Sequence, residues 1–394
     1  MNTVDSGVRA ARVSLTGFFL TGLLMSFLGA ALPVWGFHLS SDYVTAGTYF
    51  LLLNAGFLVA ARAGQALVQR RGAAFTAALA AFLAAGGFLF LALMSSPFSP
   101  WWRLPGLFWL GFSAGLLNVA LVEGVSPLYD VGRAATLNLA GVTFGLGCIV
   151  MSLLVAGTYY VYDVRGILML VAAIPAAFGG LFLRMRVPGP PDPHPETEQL
   201  RRQFRSPAAV LFALLLFFQF GNEWAVAGWL PMFLIQRLGI SPADSLFLLA
   251  LYWTSLLLGR VVAQGLLSRM SRGRLLAISA TAALFGCVLL SATDSISGAA
   301  VGILCTGAGF AAIFPLTAEN IGRRFPYYHP MIYSGIFSFA FTGGMLAPWS
   351  LGFMAHWWGI GAMIVVPMLG TGMVFLLLGL IVIEGRLSEG QPVR

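Results

Sequence analysis

An all-α membrane protein of twelve transmembrane helices, arranged as two pseudo-symmetric six-helix bundles, is what three features of this sequence predict. They are its composition, the length of its apolar runs and the placement of its arginines. Of 394 residues, 59% are hydrophobic and only 9% charged, with a mean hydropathy of +0.87. A soluble domain carries ~25% charged residues, so this chain cannot clothe its length in a charged surface. Apolar runs of about 20 residues match the ~30 Å hydrocarbon layer of a bilayer. Only helices and closed barrels satisfy their backbone groups in lipid, and barrel strands are ~10 residues long. Helices are therefore predicted.

Polar punctuation divides the chain into segments at 13–36, 43–68, 73–96, 104–128, 134–160, 164–184, 207–236, 242–267, 274–292, 296–320, 330–355 and 358–384. The first is too long for the apolar region of a secretory leader, and no small-residue cleavage site with a soluble domain follows, so it reads as a span. Arginine placement fixes the parity. The chain contains no lysine, and all 22 basic residues are arginine. With both termini cytoplasmic, seventeen fall inside, Arg103, Arg165 and Arg237 fall outside, and Arg62 and Arg260 lie within helices. An even number of spans satisfies the positive-inside rule, and an odd number does not. The net charge of +8 therefore reports topology. Nucleic acid is excluded as a partner, since the arginines are scattered over many short loops.

Cys148, Cys287 and Cys305 all lie in apolar segments and read as small core residues, with no disulfide framework and no metal site. The one long polar stretch, 185–206, carries five prolines and mixed charges and reads as a cytoplasmic linker. It separates a bundle at 1–184 from a second at 207–394. Such an arrangement invites a search for a repeat. Arg62 opens R-A-G-Q-A-L-V-Q-R-R-G, and Arg260 opens R-V-V-A-Q-G-L-L-S-R-M-S-R-G. Glu123 and Glu319 stand near the ends of the fourth and tenth segments. The offsets are 260 − 62 = 198 and 319 − 123 = 196, almost one value.

With these features the chain resembles the major facilitator superfamily, whose loop between the second and third helices carries a pattern like G-x-x-x-D-R-x-G-R-R. Gln69-Arg70-Arg71-Gly72 and Ser268-Arg269-Met270-Ser271 stand in its place. An arginine (Arg70, Arg269) is kept in both halves and the acid is lost in both, which puts the family's charge-relay gate in doubt. The segments F-F-Q-F-G-N-E-W-A-V-A-G-W-L-P (217–231), Y-W-T-S-L-L-L-G-R (252–260), G-F-A-A-I-F-P (309–315) and L-N-L-A-G-V-T-F-G-L-G (137–147) look like the fucose–galactose–glucose:proton symporter branch, the group of fucose permeases. The resemblance implies a monomeric secondary transporter, working by alternating access in a cell membrane of the bacterial inner-membrane type. Its partners would be a small-molecule solute, a proton or other cation, and membrane lipid. No cofactor is implied.

A charge at mid-bilayer costs about 3 kcal/mol or more, so each intramembrane ionisable residue needs a partner or a wet cavity. Arg62, Glu123, Glu223, Arg260 and Glu319 qualify. Glu223 lies near the middle of its span, beyond reach of either interface, with Gln219 one turn before it and Asn222 and Trp224 beside it. Carboxylate, amides and indole suit a polyhydroxylated ligand: the acid and amides bond hydroxyls, and the ring packs on C–H groups. The competing reading of Glu223 is an interhelical hydrogen bond between the repeats. The resemblance adds that related transporters place an acid here. Glu223 and Glu123 are the candidates for proton coupling.

The matched offsets suggest two equivalent ion pairs, Arg62–Glu123 and Arg260–Glu319, for gating or structure. The resemblance also implies an acid after G-x-L in the fourth helix. Here G-L-L-N (115–118) places Asn118 there, which binds hydroxyls and cannot titrate. Trp253, seven residues before Arg260, is a further cavity candidate or a packing residue. Asn54 is a candidate solute contact as well, although single amides in spans mostly bond between helices, as Asn138 does on this reading. Trp101, Trp102, Trp357 and Trp358 read as interfacial anchors. Pro33, Pro175, Pro231, Pro315, Pro348 and Pro367 interrupt six spans and allow bending.

A sugar or polyol carrier, proton-coupled, is thus the leading reading. Its rival is a multidrug or lipophilic-compound efflux carrier of the same fold, since an embedded acid with aromatics serves both. An enzyme is disfavoured: the sequence holds no HExxH, GxSxG or P-loop, and His38, His194, His329 and His356 all fall in loops or at span ends.

Overall fold

The computed structural model of the chain describes residues 3–95, 97–185, 206–324 and 330–389, and it is helical almost throughout. Twelve long helices run in order: α1 (Thr3–Val34), α2 (Tyr43–Arg71), α3 (Ala73–Leu93), α4 (Leu104–Gly124), α5 (Tyr129–Thr158), α6 (Val164–Leu183), α7 (Pro207–Leu238), α8 (Pro242–Leu266), α9 (Arg272–Ala292), α10 (Ile296–Arg324), α11 (Pro330–Trp358) and α12 (Ala362–Glu389). Among the described residues, eleven helices are long and apolar enough to cross a membrane. The remaining expected span is met by α11, 29 residues long. The all-α membrane fold predicted from composition is the one observed. The linker expected at 185–206 lies outside the described residues apart from its first and last positions.

Helix starts follow local chemistry. The Asp42 and Asp163 carboxylates accept from the backbone N–H of Thr45 (3.2 Å) and Gly166 (2.8 Å), capping α2 and α6. Prolines open α7, α8 and α11, where their missing N–H leaves no helical bond unmade. The six prolines expected within spans all lie inside their helices. Trp101, Trp102, Trp357 and Trp358 are all exposed near helix ends, as interfacial anchors require.

The chain divides into two compact units, Met1–Asp192 with Leu230–Trp253, and Pro193–Trp229 with Thr254–Arg394. The end of α7 and the start of α8 therefore group with α1–α6. One cause is visible in the first unit, where the Tyr43 hydroxyl donates to Gln236 Oε1 at 2.5 Å. The Gln236 amide in turn donates to the His38 carbonyl at 3.4 Å. Burial of His38 pushes its imidazole below the ordinary histidine range.

Within the first unit α2 packs on α4, α1 on α5 and α3 on both α4 and α6; within the second α9 packs on α10 and α12. The repeat is legible atom by atom. A Cβ added to Gly147 in α5 would strike the Phe19 carbonyl of α1, and one added to Gly343 in α11 would strike the Phe217 carbonyl of α7. The offsets are 217 − 19 = 198 and 343 − 147 = 196, the same two values that relate Arg62 to Arg260 and Glu123 to Glu319. Each glycine lets two helix backbones meet with nothing between them. We expect Gly147→Val and Gly343→Val each to cost about 3 kcal/mol through forced separation of these backbones. Gly180→Val, placed where a Cβ meets open space, should cost far less. Melting temperatures in detergent would compare the three.

Candidate functional site

The stretch 219–224 of α7 turns its side chains toward four different helices of the second unit. Residues four apart share a helix face, whereas neighbours in sequence point about 100° apart. Gln219 and Glu223 accordingly share a face. The Gln219 amide nitrogen donates to the Phe310 carbonyl of α10 at 3.2 Å. Its residue is fully buried, and its Oε1 has no hydrogen-bond partner. One turn on, Glu223 Oε1 lies 3.8 Å from Arg260 Nη2 of α8, with side chains only 12% and 16% exposed. That separation is an ionic contact beyond hydrogen-bond length.

Asn222 and Trp224 point elsewhere. A Cβ on Gly370 of α12 would overlap the Asn222 carboxamide, and one on Gly344 of α11 would touch the Trp224 indole. Asn222 is buried, and its amide nitrogen has no hydrogen-bond partner. The structure thus gathers Gln219, Glu223 and Arg260, and separates Asn222 and Trp224 from them by the rotation of the helix. Farther along α7, the fully buried Trp229 donates its indole N–H to the Pro348 carbonyl at 2.9 Å, fastening α7 to α11.

Backbone acceptors supplement these side chains. A proline inside a helix removes the hydrogen bond to the carbonyl four residues earlier. Pro231, Pro315 and Pro348 do so for Ala227, Ala311 and Gly344. Ala311 follows the Phe310 that holds Gln219, and Gly344 is the residue beneath Trp224.

The expected pairing of Arg260 with Glu319 is corrected. Arg260 faces Glu223, while Glu319, exposed toward the end of α10, meets Arg272 Nη2 at 2.6 Å and Arg323 Nε at 3.7 Å. Equal sequence offsets encode the repeat, and the direction a helix face presents decides the partner. Arg272 was missed because its position reads as loop; it begins α9, capped by Ser271. Arg324 also bonds Glu384 of α12, at 3.1 Å. Exposed pairs of this kind contribute little, so Glu319→Gln should shift the unfolding free energy by less than about 1 kcal/mol, read from thermal melts.

In the first unit Arg62 is exposed and Glu123 half-buried, and no Arg62–Glu123 pair is seen among the described residues. The position equivalent to Glu223 is 223 − 198 = 25, a buried Met25, so an arginine at 62 meets no acid from α1 at that place. Asn54 donates to the Phe50 carbonyl of its own helix at 2.9 Å. Asn118 is half-buried in α4. Trp253 is buried, packed edge to face on Tyr252 at 5.4 Å. Arg70 and Arg269 are exposed at or beyond the ends of α2 and α8. A feature with no sequence signal is Arg103, buried with its guanidinium 4.9 Å over the Trp35 ring, a cation–π contact that compensates part of its desolvation.

The sequence model of the Major Facilitator Superfamily matches residues 119–348, more than half of the chain. The chain belongs to the major facilitator superfamily. It is a multi-pass membrane transporter and not an enzyme. Among curated relatives of the superfamily, it is 21% identical over 359 residues to an uncharacterized MFS-type transporter of Yersinia pestis, covering 90% of this chain and 91% of that one. Among solved structures, it is similar to the nucleoside transporter NupG, with TM-score 0.74, 14% identity, and 95% and 98% of the two chains covered. It is also similar to the fucose:proton symporter FucP of E. coli, with TM-score 0.63, 18% identity, and 95% and 99% covered. These likenesses establish the fold.

Proposed function

We propose that this superfamily member is a secondary transporter of a sugar or polyol, working by alternating access and coupled to a proton carried on Glu223. On this reading it sits in a bacterial inner membrane with both termini cytoplasmic, as bundles 1–184 and 207–394 joined by the linker 185–206. One observation carries the proposal: Glu223 lies halfway along a 32-residue helix, against Arg260 and one turn from a buried Gln219 oxygen that has no partner. An acid at that depth is costly to keep unless it is used, and an unbonded amide oxygen is an acceptor awaiting a hydroxyl. NupG and FucP, named for a nucleoside and for fucose with a proton, lend the hydroxyl-rich solute class further support.

The test is a thermal-shift screen of monosaccharides, polyols and common drugs on the purified chain, repeated with Glu223→Gln. Stabilisation by sugars or polyols, altered by Glu223→Gln and by pH, is the expected result. Binding of lipophilic cations alone would establish the efflux reading in its place, and sugar binding indifferent to both pH and Glu223 would remove the proton role.

A further inference from the structure

We infer that the turn between α1 and α2 is an acid-sensitive latch. While His38 is neutral, this turn holds the hairpin Leu230–Trp253, made of the end of α7 and the start of α8; when His38 takes a proton, the hold is released. The inference is independent of the solute and of Glu223. It takes from the proposed topology only the side of the membrane that the turn faces, the outer one.

Three residues of the first unit make the contact. Tyr43, which opens α2, donates its hydroxyl to Gln236 Oε1 at 2.5 Å, across 193 residues of sequence. The Gln236 amide donates to the His38 carbonyl at 3.4 Å. One side chain near the end of α7 thus engages both sides of the α1–α2 turn. Each such bond is worth about fivefold in an equilibrium. That is enough to bias a switch and too little to make the attachment permanent.

The turn itself is held under strain. Residues 37–40 form a single helical turn flanked by left-handed backbone, Gly36 at φ 76° and Ser41 at φ 53°. Glycine adopts that conformation freely, whereas serine is held in it at a cost. Phe37 is the anchor, buried and packed edge to face on Tyr49 at 5.4 Å. Residues 38–41 can therefore relax about a fixed Phe37 once Gln236 lets go.

His38 supplies the trigger. Its imidazole is half-buried and donates one ring N–H to the Pro33 carbonyl. The other nitrogen, Nδ1, is buried with no hydrogen-bond partner among the described residues. A proton taken from water lands on Nδ1, where the latched turn offers it no acceptor. An unbonded buried N–H and a desolvated positive charge both disfavour that form. The turn opens to hydrate the imidazolium, and the carbonyl that held Gln236 moves with it. Neighbouring elements carry other charged and titratable groups. Asp42 is exposed and caps α2, Tyr43 and Tyr49 lie on α2, and Arg237 is exposed beside Gln236. Asp244 of α8 is exposed and bonded by the Ser241 hydroxyl, and Arg103 lies over the Trp35 ring. Beyond Arg12, α1 has no charged residue. Burial is the main influence on the imidazole and lowers its proton affinity, against a smaller opposing effect of the Pro33 carbonyl. In the open, hydrated turn the ordinary histidine value of about 6.5 returns. Latching is therefore full above that value and weakens as pH falls below it.

The experiment places spin labels on Leu39→Cys and Phe247→Cys, both at exposed positions, in the full chain in nanodiscs with Cys148, Cys287 and Cys305 replaced by alanine. Electron–electron resonance then gives the distance between turn and hairpin at each pH. A single short distance is expected at about pH 7.5, with a longer population growing about 10-fold or more by about pH 5. Tyr43→Phe should raise the long population about fivefold at the higher pH. His38→Gln, neutral throughout, should hold the short distance at every pH, while Glu223→Gln should leave the response in place. Should His38→Gln fail to fold, the response of Glu223→Gln decides the matter. A distance that ignores pH, a response kept in His38→Gln, or one lost in Glu223→Gln overturns the latch and leaves the proton role of Glu223 standing.

Discussion

Glu223→Gln should abolish accumulation of solute against its gradient while leaving exchange of solute for solute in place. Glutamine keeps the shape and hydrogen-bonding capacity of the protonated acid but neither accepts nor releases a proton. A carrier that cannot unload its proton cannot use a pH gradient, yet it still exchanges one bound solute for another, because exchange needs no proton movement. The measurement is uptake into liposomes with and without a pH gradient, beside counterflow with solute on both sides. Accumulation preserved in the variant would show that the proton travels elsewhere, and Glu123 would be the next residue to change. The fold should survive the substitution. Arg260 stands six residues before the end of α8 at Leu266, about 9 Å along the helix, so its long side chain can reach toward the interface when its partner is gone.

Removing the other partner should be more damaging to stability. Arg260→Leu leaves the Glu223 carboxylate halfway along α7, where no rotamer reaches water, and loss of one member of a buried pair costs about 3–5 kcal/mol. With Glu223→Gln added, no uncompensated acid remains, and about 2 kcal/mol or more of the loss should return as coupling between the two sites. Melting temperatures of the two single variants and the double variant measure this. Additive losses would mean that the 3.8 Å contact contributes nothing.

The spans were legible because lipid leaves so little choice. A run such as 164–184 must be a helix long enough to cross, and α6 occupies Val164–Leu183. Helix ends were read less well. The fifth helix begins at Tyr129, five residues before its apolar run at 134, and α12 begins at Ala362 after the turn at Gly359. Glu223 was conspicuous for the same reason as the spans, since an acid at mid-depth is costly to keep. Its partner was not. Which arginine meets which acid depends on how far each helix is rotated about its axis, and a sequence offset carries no information about rotation. Arg260 and Glu319 therefore looked like a pair, while the structure gives each a different partner. The same rotation parted Asn222 from Glu223, adjacent letters in the chain that face α12 and α8.

Three prolines within α7, α10 and α11 bear on how such a carrier diverges. Pro231, Pro315 and Pro348 release the carbonyls of Ala227, Ala311 and Gly344 from their helices, and a carbonyl belongs to the backbone. On the proposed function, replacing Gln219 or Trp224 would alter which hydroxyls or rings are preferred without touching these acceptors. A descendant of this chain can thus trade one solute for another by a few side-chain changes on a framework that already offers hydrogen-bond acceptors. Loss of a single proline would close one of them whatever side chains surround it.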